Sequence, residues 1–224
     1  SAAWERAASG SAELLLVRGY SGIGKSTLVH ELHRALTGAH GFFISGKFDE
    51  RNRSVPYAPL SAAFGELCHH LLMEPPDSLA RFRTQIQAAL GTSAQALVQI
   101  IPDLTLIIGP QPPAPSLEGS AARQRFLRLF QRLLAVFADL GRPLVLFLDD
   151  LQWIDQASLD LLAALLEEAE SRRLLVIGAY RSNEVDSAHP LSLAVRSLSG
   201  KASLHTIELG PLERSDVGRF VADA

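Results

Sequence analysis

Gly19, Tyr20, Ser21, Gly22, Ile23, Gly24, Lys25 and Ser26 stand in that order between an apolar stretch at residues 13–17 and a helical pattern through Leu28, Leu32, Ala35 and Leu36. The spacing is G-x-x-x-x-G-K-[ST], and each fixed position has a chemical reason. Glycines admit backbone conformations that other residues resist, so successive N–H groups turn inward around a polyphosphate. Lys25 brings a point charge to the outer phosphates, the Ser26 hydroxyl can bind Mg²⁺, and the following helix presents its positive N-terminal end to the anion. The motif has meaning only after a strand and before a helix, and both are readable here. Residues 19–26, with Thr27 opening the helix, are the expected phosphate-binding segment.

A second set of reactive side chains closes the most hydrophobic run of the chain, residues 144–148, which ends in Asp149 and Asp150. A buried strand that carries two carboxylates at its tip resembles the Walker B arrangement of P-loop ATPases. That resemblance implies Asp149 as the Mg²⁺ ligand, usually through water. Asp150 would orient or deprotonate the attacking water. The plainer reading is a pair of aspartates that ends a strand and caps a helix. Arg181 likewise ends an apolar run at residues 174–180, where pairing with Glu184 or Asp186 is the plain alternative to a role on phosphate.

Other candidates carry less. His30 with His33, or His69 with His70, lack the carboxylates or cysteines that would complete a metal site, so surface histidines on helices are the better reading. Cys68 falls in an apolar helix and reads as core. Trp153 follows the acidic pair and is either a packed core residue or a wall of the pocket. His189-Pro190 reads as a helix start. Arg125, Arg128 and Arg132 line the polar face of a long helix, where solvation explains them.

The elements that must position these groups alternate as in an α/β protein. A short helix at residues 4–8 precedes the first strand, and residues 42–44 make a second, completing a strand–loop–helix–strand unit with ligands expected at the carboxyl ends of the strands. Gly38 to Gly41 separates that helix from the second strand. Residues 55–102 show helical spacing at Leu60, Phe64, Leu67 and Leu71, and again at Phe82, Ile86 and Leu90. Residues 104–108 read as a short strand or an extended segment, and the proline-rich stretch 110–115 as a stiff connector. A long helix spans about 119–140, with its apolar stripe at Phe126, Leu129, Phe130, Leu133 and Phe137. Asp155 caps the helix that ends in Glu167, Glu168, Glu170, Arg172 and Arg173. Another helix spans 190–198, and a fifth strand covers 204–209. The expected division is 1–50 and 117–210 for the core, 51–116 for a helical insertion, and 211–224 for the start of a lid.

With 224 residues, 47% of them hydrophobic, the chain can bury a substantial core. A net charge of −3 gives no overall basic field for nucleic acid or anionic lipid. One cysteine excludes an internal disulfide framework and a cysteine-rich zinc site, in keeping with a cytoplasmic location. No apolar run approaches the roughly 18 residues of a membrane span. The chain starts without methionine and stops within a helical pattern, so a domain of a longer protein is expected.

Taken together, GYSGIGKSTLVHEL, ISGKFD followed by VPYAPL, LVLFLDDLQWID, LLVIGAYRSNEV with HPL, and LGPLERSDV resemble the ATPase domain of the STAND branch of AAA-type P-loop proteins over almost the whole length. GKFD, VPYAPL and AYRSNEV are most similar to the module of large bacterial proteins that join a serine/threonine kinase to a sensor histidine kinase; the other motifs are shared with MalT-like regulators. The resemblance implies a three-layer αβα P-loop NTPase fold with a five-stranded, mainly parallel sheet in the order 5-1-4-3-2. It implies ATP with Mg²⁺, slow hydrolysis used as a regulatory switch, and Arg181 as a sensor arginine facing the γ-phosphate. Implied partners are ATP or ADP and adjoining kinase or sensor domains, with nucleotide-dependent self-association also open, and neither membrane nor nucleic acid expected. The adenine-holding helix before the first strand is only partly present, and the C-terminal lid is mostly absent.

Three other classes compete. A small-molecule phosphotransferase would need an acceptor pocket, which the helical insertion could supply. A GTPase would need N/T-K-x-D, and Asn183-Glu184-Val185-Asp186 lacks the lysine. The nucleotide-binding domain of a DNA-associated regulator, without turnover as an isolated fragment, finds no support in the acidic balance.

Overall fold

The computed structural model describes residues 2–36, 41–114, 119–167, 173–200 and 203–211. Five strands, β1 (Ala12–Gly19), β2 (Phe42–Lys47), β3 (Leu144–Asp149), β4 (Leu174–Arg181) and β5 (Ser203–Glu208), form one sheet in the order β2-β3-β4-β1-β5. Every neighbouring pair is parallel. This is the α/β P-loop NTPase-like architecture, with the strand order that the resemblance implies. Parallel strands need crossover helices, which cover both faces and make the central strands apolar throughout.

The two-residue period of a strand divides its side chains between those faces. Leu15, Val17, Val145, Phe147, Leu175 and Ile177 meet Ala3 and Ala7 of α1 (Ala2–Ala8) and Val29 of α2 (Lys25–Leu36). Leu14, Leu16, Ile44, Leu146, Leu148 and Val176 face the larger core on the other side. That core is closed by α3 (Ala58–Leu72), α4 (Pro76–Leu90), α5 (Ala94–Val98), α6 (Leu104–Ile108), α7 (Gly119–Asp139), α8 (Gln156–Glu167) and α9 (Pro190–Leu198). Phe64 packs edge-on against Phe130 of α7, and Phe82 packs against Phe137, so the helices of residues 58–108 share one core with the sheet.

Residues 104–108 correct the strand reading: they form α6. Leu-Thr-Leu-Ile-Ile is strand-like by composition, but Leu104, Ile107 and Ile108 are buried while Leu106 is exposed. That i, i+3, i+4 pattern is helical, and burial among α3 and α4 overrides the local preference. Residues 110–114 of the proline-rich connector carry no helix or strand. Gly38 to His40, Pro115, residues 168–172 and the expected lid from residue 212 lie outside the described residues.

Both edges of the sheet are tied down by polar contacts. Glu13, buried at the start of β1, accepts from Arg6 of α1, from Ser11 and from Ser203 of β5. Burial pushes its carboxyl up, but those hydrogen bonds outweigh it and leave the pKa below the ordinary value. At the other edge Glu66 of α3 accepts the Ser45 N–H of β2. A Cβ on Gly46 would meet the Pro59 carbonyl oxygen at 2.4 Å, so only glycine lets α3 start so close to the strand. Gly46→Ala is expected to cost about 1–3 kcal/mol, read as a lower urea midpoint at unchanged slope.

Candidate functional site

The loop between β1 and α2 turns on Gly22 and Gly24, whose φ values of 75° and 99° disfavour any side chain. Tyr20, Ser21 and Thr27 are exposed around it, and Ile23 is half-buried. Lys25 is buried and donates Nζ to the carbonyls of Gly19 at 3.0 Å and Tyr20 at 2.8 Å. Burial lowers its pKa below the ordinary lysine value, and the pull of Asp149 and Asp150 only partly opposes that.

The carboxyl end of β3 comes to this loop. Ser26 Oγ donates to Asp149 Oδ2 at 2.9 Å, and Asp149 Oδ1 accepts the Asp150 N–H, also at 2.9 Å. One hydroxyl and one carboxylate oxygen at that distance are hard ligands suited to Mg²⁺. The chain then turns sharply, with Asp150 left-handed at φ 56°, into a 3₁₀ turn at Leu151–Trp153. Asp155 accepts from Ser158 N–H and Ser158 Oγ, and so caps α8 as expected.

Asp150 is ringed by donors. Gln152 Nε2 donates to Oδ1 at 2.9 Å, Lys47 Nζ lies 3.3 Å from Oδ2, and Arg181 Nε lies 3.6 Å from Oδ1. Both readings of Arg181 therefore have contacts behind them: it reaches the acidic pair, and its Nη1 also donates to Glu184 at 2.8 Å. The Glu184 hydrogen bond raises the guanidinium pKa further. A groove of about 430 Å³ opens beside these groups, lined by Ser45, Lys47, Pro59, Phe147 and Asp149 among others.

Lys25, Ser26, Asp149, Asp150 and Arg181 are thus brought together. Sequence reasoning missed two residues, Lys47 and Gln152. Lys47 aligns with Asp149 in the β2–β3 register, a signal that exists only once strand order is known. The remaining candidates fall elsewhere. Cys68 is buried in the core, where burial pushes its thiol up to about 12, and Trp153 is half-buried against that core. His189 caps α9 by accepting Leu191 N–H. His33 stacks on Phe43, His69 and His70 lie near Asp103 and Glu66, and the His30 side chain lies outside the described set. Arg128 and Arg132 are exposed. Among the described residues no helix is long and apolar enough to cross a membrane.

Comparison with known proteins decides the family. A family model described as AAA ATPase domain matches residues 1–177. The chain belongs to that family. Hybrid signal transduction histidine kinase G of Dictyostelium discoideum is 35% identical over 163 residues, or 73% of this chain. An uncharacterized protein of Rhizobium meliloti (strain 1021) is 24% identical over 208 residues, or 87% of it. The AAA domain here spans 5% and 19% of those relatives' lengths. Among solved structures, Cdc6p from Pyrobaculum aerophilum aligns over 96% of this chain and 43% of its own, at 15% identity and TM-score 0.49. Aeropyrum pernix Orc1, in complex with DNA, aligns over 99% and 48% at 14% identity and TM-score 0.43.

The lowered pKa of Lys25 has a consequence for stability. The unfolded chain holds that proton more tightly, so the charge opposes folding at neutral pH, and the penalty falls away as pH rises toward the ordinary lysine value. In Lys25→Met the Gly19 and Tyr20 carbonyls still accept from Ser182 and Ile23 N–H. The variant is expected to be the more stable at pH 7 in urea unfolding, with the difference shrinking toward pH 10.

Proposed function

We propose that this AAA domain binds Mg-ATP and hydrolyses it slowly, as a nucleotide-dependent switch within a larger signalling protein. The observation that carries the reading is the meeting of Ser26 with Asp149, and of Asp150 with Arg181, beside a loop holding a buried lysine. In this reading residues 19–27 wrap the phosphates with backbone N–H groups, and Lys25 exchanges its carbonyl acceptors for phosphate oxygens. Ser26 and Asp149 would hold Mg²⁺, which would neutralise charge on the outer phosphates. Asp150 orients the attacking water and accepts its proton, while Arg181 turns from Asp150 and Glu184 toward the γ-phosphate.

The switch role draws on the named relative, a hybrid signal transduction histidine kinase. It fits the STAND, kinase-linked subtype with adjoining kinase or sensor domains as partners, and the division into a core at 1–50 and 117–210, a helical insertion at 51–116 and a lid from 211.

Calorimetry should show that Lys25→Ala loses ATP binding by at least about 100-fold, and wild-type affinity in that variant sinks the proposal. Asp150→Asn should keep affinity within about threefold and lose turnover by about 10²–10⁴. Product analysis should find phosphate released to water, and transfer to a metabolite would make the domain a phosphotransferase instead.

A further inference from the structure

The three side chains around Asp150 differ in what a polyphosphate would do to them. Lys47 and Arg181 are cations with 68% and 33% of their side chains exposed, and phosphate oxygens attract both. Gln152 is neutral, 2% exposed, and has no such competitor. Its amide is used at both ends: Nε2 donates to Asp150 Oδ1, and Oε1 accepts the Arg181 N–H at 3.2 Å. The orientation is forced, because a carboxylate cannot donate and a backbone N–H cannot accept.

The main chain of Gln152 is held as well. His189 Nδ1 accepts Leu191 N–H, so the ring proton sits on Nε2, which donates to the Gln152 carbonyl at 3.2 Å. Asp150 itself is left-handed, a conformation that costs a non-glycine residue free energy and persists only where its surroundings hold it.

We infer that Gln152 is a positioning residue that locks the Asp150 carboxylate to the carboxyl end of β4 while Lys47 and Arg181 exchange Asp150 for phosphate. This rests on reading Asp150 as the group that acts on the attacking water. A carboxylate deserted by its two cations would otherwise be free to rotate at the step that needs it fixed.

In the full chain, Gln152→Leu should lower kcat for ATP by about 30-fold while the ATP Kd stays within about threefold, which also reports an intact fold. Gln152→Glu still accepts the Arg181 N–H but sets a second carboxylate against Asp150. It cannot donate to Asp150, so its kcat should fall by a similar factor. An unchanged kcat in Gln152→Leu, a Kd that worsens in step with kcat in that variant, or an unchanged kcat in Gln152→Glu overturns the role. Unaltered protein that binds ATP without turnover overturns the hydrolase reading itself, before any Gln152 variant is made.

Discussion

Charges gathered at the carboxyl ends of parallel strands are compensated where they stand in so far as they lose hydration there, most for the buried Lys25 and least for the exposed Lys47. Three carboxylates, Asp149, Asp150 and Glu184, meet three cations, Lys25, Lys47 and Arg181, in this one region. No pair is self-sufficient. Asp150 faces two cations, Arg181 faces two carboxylates, and Lys25 relies on loop carbonyls as well as the acidic pair. Such a network holds its shape only if the strand ends hold theirs.

The sheet order supplies that rigidity. With β4 between β1 and β3, the residues that end those strands are neighbours although they lie far apart in sequence. The turn after β3 is seated by a close approach. A Cβ on Gly178 of β4 would meet Leu151 Cδ1 at 2.3 Å, so a missing side chain in the central strand lets Leu151 tuck under the acidic turn. Leu151 is buried, and Gln152 beside it ties the turn to β4 by a hydrogen bond. Packing sets where Asp150 stands, and polar contacts set which way it points.

That division explains what the sequence made legible. The loop at residues 19–26 could be read because its motif lies in eight consecutive residues with a strand before and a helix after. The acidic pair could be read because a fully apolar strand leads to it. Periodicity also gave the helices from Leu60 to Leu90 and the stripe of α7, since burial repeats along the chain. Residues 104–108 defeated it: five residues are too few for a period to outweigh β-branched composition, and their burial depends on α3 and α4. Lys47 and Gln152 were hidden for another reason. Each meets Asp150 through register or a turn conformation, neither of which follows from residue type.

The partners of Asp150 also differ in what places them. Arg181 ends the central strand β4, and Gln152 lies in the turn after β3 and accepts the Arg181 N–H. Lys47 belongs to the edge strand β2, paired on one side only. The position of β2 is set from outside as well, by Glu66 on the Ser45 N–H and by the Pro59 carbonyl against Gly46. Both contacts come from α3. The cation on Asp150 Oδ2 is therefore placed by β3 and α3 together, whereas the donors on Oδ1 are placed by β4 and by the turn that His189 helps to hold. One carboxylate thus collects its donors from an edge strand braced by α3, from the end of β4 and from the turn after β3, so its orientation depends on all three holding their places.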